Sequence, residues 1–196
     1  MNLLIPTSDG NTPLSPEEVA ELIPNLATKE ELNEWERQNI LSARLWALRD
    51  RSTASDIVED EYVRKLHKKM FDQTWKWAGR YRKTDKNVGV PFPEIPQRLA
   101  ALFGDVRYWI DHATYSLDEI AVRYHHRLVF IHPFPNGNGR HGRLVADLLV
   151  MRLGRPAFTW GRSGLVKPDV LRERYLGAIR TADMSDIRPV LEFARS

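Results

Sequence analysis

The residues best equipped for chemistry lie in one short run, His132-Pro-Phe-Pro-Asn-Gly-Asn-Gly-Arg-His-Gly-Arg143. An imidazole precedes a glycine-rich turn, and two arginines at i and i+3 follow it. Apolar residues lead in (Leu128, Val129, Phe130, Ile131), and a helical pattern leads out (Leu144, Val145, Leu148, Leu149, Met151). This order predicts helix, tight loop, helix. The loop would present main-chain N–H groups at the start of the second helix, where partial positive charge collects. Gly137 and Gly139 permit positive φ and close approach of a ligand to the backbone. Arg140 and Arg143 share a face of the first helical turns and can fork onto phosphate oxygens. His132, with a reference pKa of about 6.5, is a proton acceptor beside a site built for a polyphosphate. A lone histidine or a lone Gly-x-Gly has ordinary structural explanations; the combination in this register is hard to explain by packing.

The elements that must position this run are helical. Ser15-Pro-Glu-Glu18 reads as a capping box opening a short helix to about Ile23, and Thr28-Lys-Glu-Glu31 as a second, opening a helix over about 29–48. After a loop at 51–56, a helix is predicted from about Glu59 to Trp77, ended by Gly79. Tyr81 to Phe92 reads as a loop or small hairpin around Val88-Gly-Val90. Helix resumes over about 94–112. Ser116-Leu-Asp-Glu119 is a third capping box, whose helix runs to about Ile131. Beyond the glycine loop come helices over about 140–153, 168–181 and 186–194. The expected class is all-α with one small β element.

A chain of 196 residues suits one domain with at most a small appendage, and 42% hydrophobic content supplies a core. The net charge of +3 suits an anionic ligand but is too small to argue for nucleic acid. Cysteine is absent, which excludes disulfides and Cys-ligated zinc. Met1 to Gly10 has an apolar start without a basic flank and does not read as a signal peptide. No stretch approaches the ~20 apolar residues of a membrane span. A cytoplasmic location is expected.

The 132–143 run resembles the signature of the Fic/Doc family, H-P-F-x-[D/E]-G-N-G-R-x-x-R, at every fixed position except one. The run Trp77–Val90, the Ala121–His126 segment and Phe158-Thr-Trp-Gly161 are similar to the bacterial Fic subgroup called mobile mystery protein B. The resemblance implies a helical Fic fold with a small β-hairpin flap. The expected division is an N-terminal extension over 1–56 and a Fic domain over 57–196. It also implies transfer of AMP from ATP to a Ser, Thr or Tyr hydroxyl of a target protein. Carried over by position, His132 resembles the general base and Phe134 the apolar anchor of the loop. Gly137, Asn138 and Gly139 resemble the phosphate nest, and Arg140 and Arg143 the clamp on the β- and γ-phosphates.

The departure is Asn136, where the family often has Asp or Glu that helps hold Mg²⁺. An amide oxygen can still ligate a hard cation, without the negative charge. Mg²⁺ or Mn²⁺ is the implied cofactor and ATP the implied substrate. Thr84, Asp85, Lys86 and Asn87 resemble the family's flap, which aligns an extended target segment by strand addition; an ordinary surface hairpin is the rival reading. Tyr175 either walls the base pocket or is a plain core tyrosine. The tryptophans (35, 46, 75, 77, 109, 160) are most simply core residues.

Glu36 falls on the apolar face that Leu32, Asn39, Ile40, Ala43, Trp46 and Ala47 form at about 100° per residue, whereas Glu30 and Glu34 point away. A carboxylate there needs a cationic partner. Many Fic proteins carry an inhibitory helix whose glutamate pairs with the second motif arginine, which here implies Arg143. The family's inhibitory pattern S/T-x-x-x-E-G/N is not matched, since Leu32 and Arg37 occupy its fixed flanks. A glutamate capping or salt-bridging elsewhere in the core is the rival reading. A metal site made of His125, His126, His132 and His141 is rejected for want of convergent ligand spacing. The remaining functional alternatives are a kinase-like or other nucleotide transfer on the same site, or a toxin-like or inactive interaction module. Direct nucleic-acid binding is not expected. Self-association is an open possibility among the partners.

Overall fold

The computed structural model describes residues 12–162 and 167–196. The segment Met1–Gly10, considered above for a signal peptide, lies outside them. The described elements are α1 (Pro16–Val19), α2 (Lys29–Arg49), α3 (Ala54–Ile57), α4 (Asp60–Phe71), a 3-10 turn (Phe92–Glu94), α5 (Ile95–Asp111), α6 (Leu117–Ile131), α7 (Asn138–Arg152), α8 (Pro168–Asp183) and α9 (Arg188–Arg195).

The centre is the α6–loop–α7 hairpin, with α5 against α6, α2 against α4, and α8 and α9 paired. Helix α7 buries Leu144, Val145, Ala146, Leu148, Leu149 and Val150, so over this stretch it is enclosed on nearly every side. That burial fixes the axis on which Arg140 and Arg143 are carried. Each fully buried Val or Leu among them contributes about 1.5–3 kcal/mol.

Two capping boxes form as expected. The Ser15 and Thr28 side chains each accept from the N3 amide, and Glu18 and Glu31 reach back. At α6 only half of the box forms: Ser116 accepts from the Glu119 N–H, while the Glu119 carboxylate is drawn to Arg123. Helix α1 stops at Val19, short of the expected Ile23, and α4 stops at Phe71, not at Trp77. Both departures have one cause. Leu22 and Trp75 form an antiparallel bridge, the Ile23 N–H donates to the Thr74 carbonyl (2.9 Å), and the Lys76 N–H donates to the Glu21 carbonyl (3.0 Å). Tertiary backbone pairing thus outcompetes further helical turns.

The expected hairpin over 81–92 is replaced by a loop of bends, and among the described residues no strand is paired there. Arg82 does the work a ladder would do. Its buried guanidinium donates to the carbonyls of Thr84 (2.9 Å), Val90 and His132 (2.7 Å). Two main-chain bonds, Arg82 N–H to Pro133 O and Val90 N–H to Ile131 O, tie both ends of the loop to the chemical run. Of the six tryptophans, Trp75, Trp77, Trp109 and Trp160 are buried and Trp46 is partly buried. Trp35 is a correction. It is exposed, with its indole N–H donated to the Gln73 carbonyl, because it sits on the solvent edge of α2 where the chain leaving α4 passes.

Candidate active site

Helix α6 ends at His132, which adopts the left-handed conformation (φ 55°) while its N–H still closes on the Leu128 carbonyl at 3.1 Å. Pro133 has no N–H to continue the ladder, so the chain turns. The turn rests on Phe134, fully buried and stacked on His67 with ring centroids 3.7 Å apart. His67 accepts from the Gly79 N–H at Nδ1 (3.1 Å), so its Nε2 carries the proton donated to the Asn136 carbonyl (3.1 Å). The Asn138 side chain clamps the turn from the other side. Its Oδ1 accepts from the Phe134 N–H and its Nδ2 donates to the Phe134 carbonyl, both at 2.9 Å. What Asn138 offers the cavity is therefore its main chain.

Gly137 precedes α7 with φ 79°, and a Cβ there would lie 2.5 Å from the Phe71 ring. Only glycine satisfies both constraints. The amides at the start of α7 then face a cavity of about 480 Å³. His132, Asn136, Gly137, Asn138, Gly139, Arg140, Arg143, Tyr175 and Glu36 all line it. Phe134 lies beneath the turn. Thr84, Asp85 and Asn87 sit outside the cavity, on the loop that Arg82 holds. Lys86 reaches back to the Pro13 carbonyl (3.0 Å) and to Glu18.

His132 is 9% exposed, and burial together with the nearby Arg82 cation pushes its pKa down to about 4. The ring is neutral near pH 7. It hydrogen-bonds the Val129 carbonyl, which can only accept, and this leaves the other nitrogen as an acceptor. That acceptor, Nε2, lies 2.8 Å from the Thr12 hydroxyl.

The partner of Glu36 is corrected. Its Oε2 meets Arg140 Nη1 at 2.5 Å, and its Oε1 accepts from the Trp75 indole at 2.8 Å. Arg143 was the expected partner. Its guanidinium lies over the Tyr175 ring instead, 4.9 Å from the centroid. The two arginines are one turn apart, and α2 crosses over the first of them. Tyr175 is buried, hydrogen-bonds His125 Nε2 (3.1 Å), and its hydroxyl lies 3.7 Å from where a Cβ on Gly139 would sit. His125 is thus a packing residue, pushed down to about 3 by burial and by Arg143. His126 pairs with Asp183. Among the described residues no cluster of His, Asp and Glu is arranged for a metal.

Sequence reasoning missed Thr12, Arg82, His67 and Trp75. Arg82 and Trp75 lie in or beside the tryptophan-glycine run, so their neighbourhood was a signal. Thr12 had none.

Residues 57–150 match the Fic/DOC family, so the chain carries a Fic/DOC domain. Over 119 residues, 59% of the chain, it is 34% identical to the protein adenylyltransferase fic-1 of Caenorhabditis elegans and 35% identical to protein adenylyltransferase Fic of Drosophila grimshawi. The chain spans 22% and 23% of those proteins, about a fifth of their length. Its fold matches that of the BepC effector protein of Bartonella tribocorum, solved with bound AMPPNP, at a TM-score of 0.68 and 16% identity, covering 92% of this chain and 97% of that one. The fold is the all-α Fic fold. Among the described residues no helix is long and apolar enough to cross a membrane.

Proposed function

We propose that the chain is a protein adenylyltransferase. It would bind ATP in the cavity and move AMP to a hydroxyl side chain of a protein. The observation that carries this reading is a neutral imidazole with its acceptor nitrogen facing a hydroxyl, beside an amide nest and two arginines. The acceptor hydroxyl loses its proton to His132 Nε2 as its oxygen bonds the α-phosphorus. The α7 amides, Arg140 and Arg143 are placed to stabilise charge on the phosphates and the departing pyrophosphate. Phe134 and His67 hold the turn rigid beneath them. Residues 84–87 would lay out the target segment, and Tyr175 would bound the nucleotide side. The relatives named adenylyltransferases and the AMPPNP-bound structure of similar fold support the same chemistry.

Mg²⁺ fits only as a passenger of the nucleotide. Asn136 Oδ1 already accepts from the Gly137 N–H at 2.6 Å and has one lone pair left, and Glu36 is bound to Arg140. The phosphates would be its main ligands, with Asn136 alongside, and it would offset their charge. Glu36 would act as an inhibitory residue by occupying Arg140.

The test is incubation of the full chain and a lysate with α-labelled or γ-labelled ATP. Label transferred from the α-position, lost in His132→Ala, is the expected result. Transfer of γ-label instead would replace this reading with a kinase-like one. Equal α-labelling by His132→Ala and wild type would remove His132 from the mechanism.

A further inference from the structure

Thr12 lies 120 residues from His132 in sequence, yet its hydroxyl lies 2.8 Å from His132 Nε2, the nitrogen assigned above as the proton acceptor. Thr12 and Leu14 are buried, and both line the cavity rather than fill it. The strap they belong to is pinned at three points besides the imidazole. Asn136 Nδ2 donates to the Thr12 carbonyl (3.4 Å), Lys86 donates to the Pro13 carbonyl (3.0 Å), and Lys86 pairs with Glu18 just beyond. Lys86 and His132 are two groups that an incoming target would have to meet. Pro13 fixes φ and Ser15 caps α1, so the strap is held from its own side as well. A plug would occupy the nucleotide space. This segment leaves about 480 Å³ facing the amides of α7, a volume usual for small-molecule sites.

We propose that Thr12 is an internal acceptor: the chain adenylylates its own Thr12 hydroxyl. This rests on the adenylyltransferase reading and names its first substrate. ATP is the co-reactant. The Thr12 Oγ1–P bond forms at the α-phosphorus, and the bond from that phosphorus to the bridging oxygen of the β-phosphate breaks. Pyrophosphate leaves with that electron pair, and the hydroxyl proton passes to His132 Nε2. The reaction is intramolecular, so its rate is independent of protein concentration. An external target must displace the strap from Lys86 and His132 before it can be modified.

The experiment uses the full chain, as wild type and as Glu36→Gln, with α-labelled ATP and Mg²⁺, followed by peptide mapping. Thr12→Ala, Thr12→Ser and His132→Ala are run beside them, each checked for folding by thermal melting. The expected result is label on the peptide containing Thr12, at a rate unchanged on dilution. Thr12→Ser should keep it, and Thr12→Ala and His132→Ala should lower it at least ~tenfold, as removal of a nucleophile or its base does. α-Label on other residues, undiminished in Thr12→Ala, overturns the role of Thr12 and leaves adenylyl transfer standing. Absence of α-label from every protein, in wild type and Glu36→Gln alike, overturns both. A labelling rate per chain that rises with protein concentration overturns the in-cis step.

Discussion

Replacing Glu36 by glutamine separates two roles that removing the side chain confounds. Glu36 is 5% exposed and bridges Trp75 and Arg140, whereas the Arg140 side chain keeps 35% of its surface exposed. A hydrogen bond to a charged group is worth about 1.5–3 kcal/mol and a neutral one about 0.5–1.5. Solvent at Arg140 places its pair near the lower end. Glutamine keeps an oxygen for the Trp75 indole and gives up about 1.4 kcal/mol at Arg140. If phosphate must win Arg140 from Glu36, that difference returns as about tenfold tighter ATP binding. Alanine loses both contacts and leaves the buried indole N–H unsatisfied, at about 2 kcal/mol. For a chain of this size that lowers Tm by about 6 °C. The assay is titration calorimetry with ATP and Mg²⁺ on wild type, Glu36→Gln and Glu36→Ala, with thermal melts of the same samples. Glutamine should gain affinity and lose about 4 °C in Tm; alanine should gain affinity and lose about 6 °C more. Unchanged affinity in both variants would show that Glu36 does not compete for the phosphate clamp.

Two further outcomes follow from the site. Gly137→Ala imposes a left-handed conformation costing about 1–2 kcal/mol and drives a Cβ to 2.5 Å from Phe71, so a total near 3 kcal/mol should lower Tm by about 10 °C and abolish ATP binding; an unchanged melt would mean the turn has other solutions. Burial holds His67 well below its ordinary pKa, His125 near about 3, and His132 and His141 near about 4. These histidines are neutral when folded and take up protons when unfolded below about pH 6.5, so they stabilise the fold above that pH and progressively less as pH falls toward 4. Asp147, pushed up to about 6 by burial, works in the opposite direction over the same range. The four rings outnumber the one carboxyl, so urea unfolding at pH 7, 6 and 5 should show stability falling, more steeply between pH 6 and 5 than between 7 and 6; a flat profile would mean these rings are solvated.

Much of the site was legible because its spacing is local. The turn, the nest and the paired arginines lie within twelve residues, and α6 and α7 flank them by ordinary helical periodicity. The inward face of α2 was readable too, and Glu36 is buried on it. Its partner was not, because helical phase says that a carboxylate points inward but not which of two arginines one turn apart lies opposite. The early end of α4 was hidden for a similar reason. Nothing near Phe71 breaks a helix; the pairing of Leu22 with Trp75 does, and it joins segments more than fifty residues apart. The missing hairpin follows the same logic, since a single buried guanidinium took over the role expected of paired strands. Thr12 was invisible because one hydroxyl before a proline carries no periodic signal.

The way Arg82 ties down the loop before α5 makes the segment between its two anchors a cassette. Arg82 and Val90 fasten the ends to Pro133 and Ile131, and Gly89 must stay because a Cβ there would fall 2.5 Å from that of His132. Positions 83–88 carry none of those ties through their N–H groups to residues 131–133. Under the target-positioning role proposed for residues 84–87, that sequence can be exchanged for another of equal length while the main-chain ties to the turn at His132 stay in place, at the cost of the contacts Lys86 makes with Pro13 and Glu18.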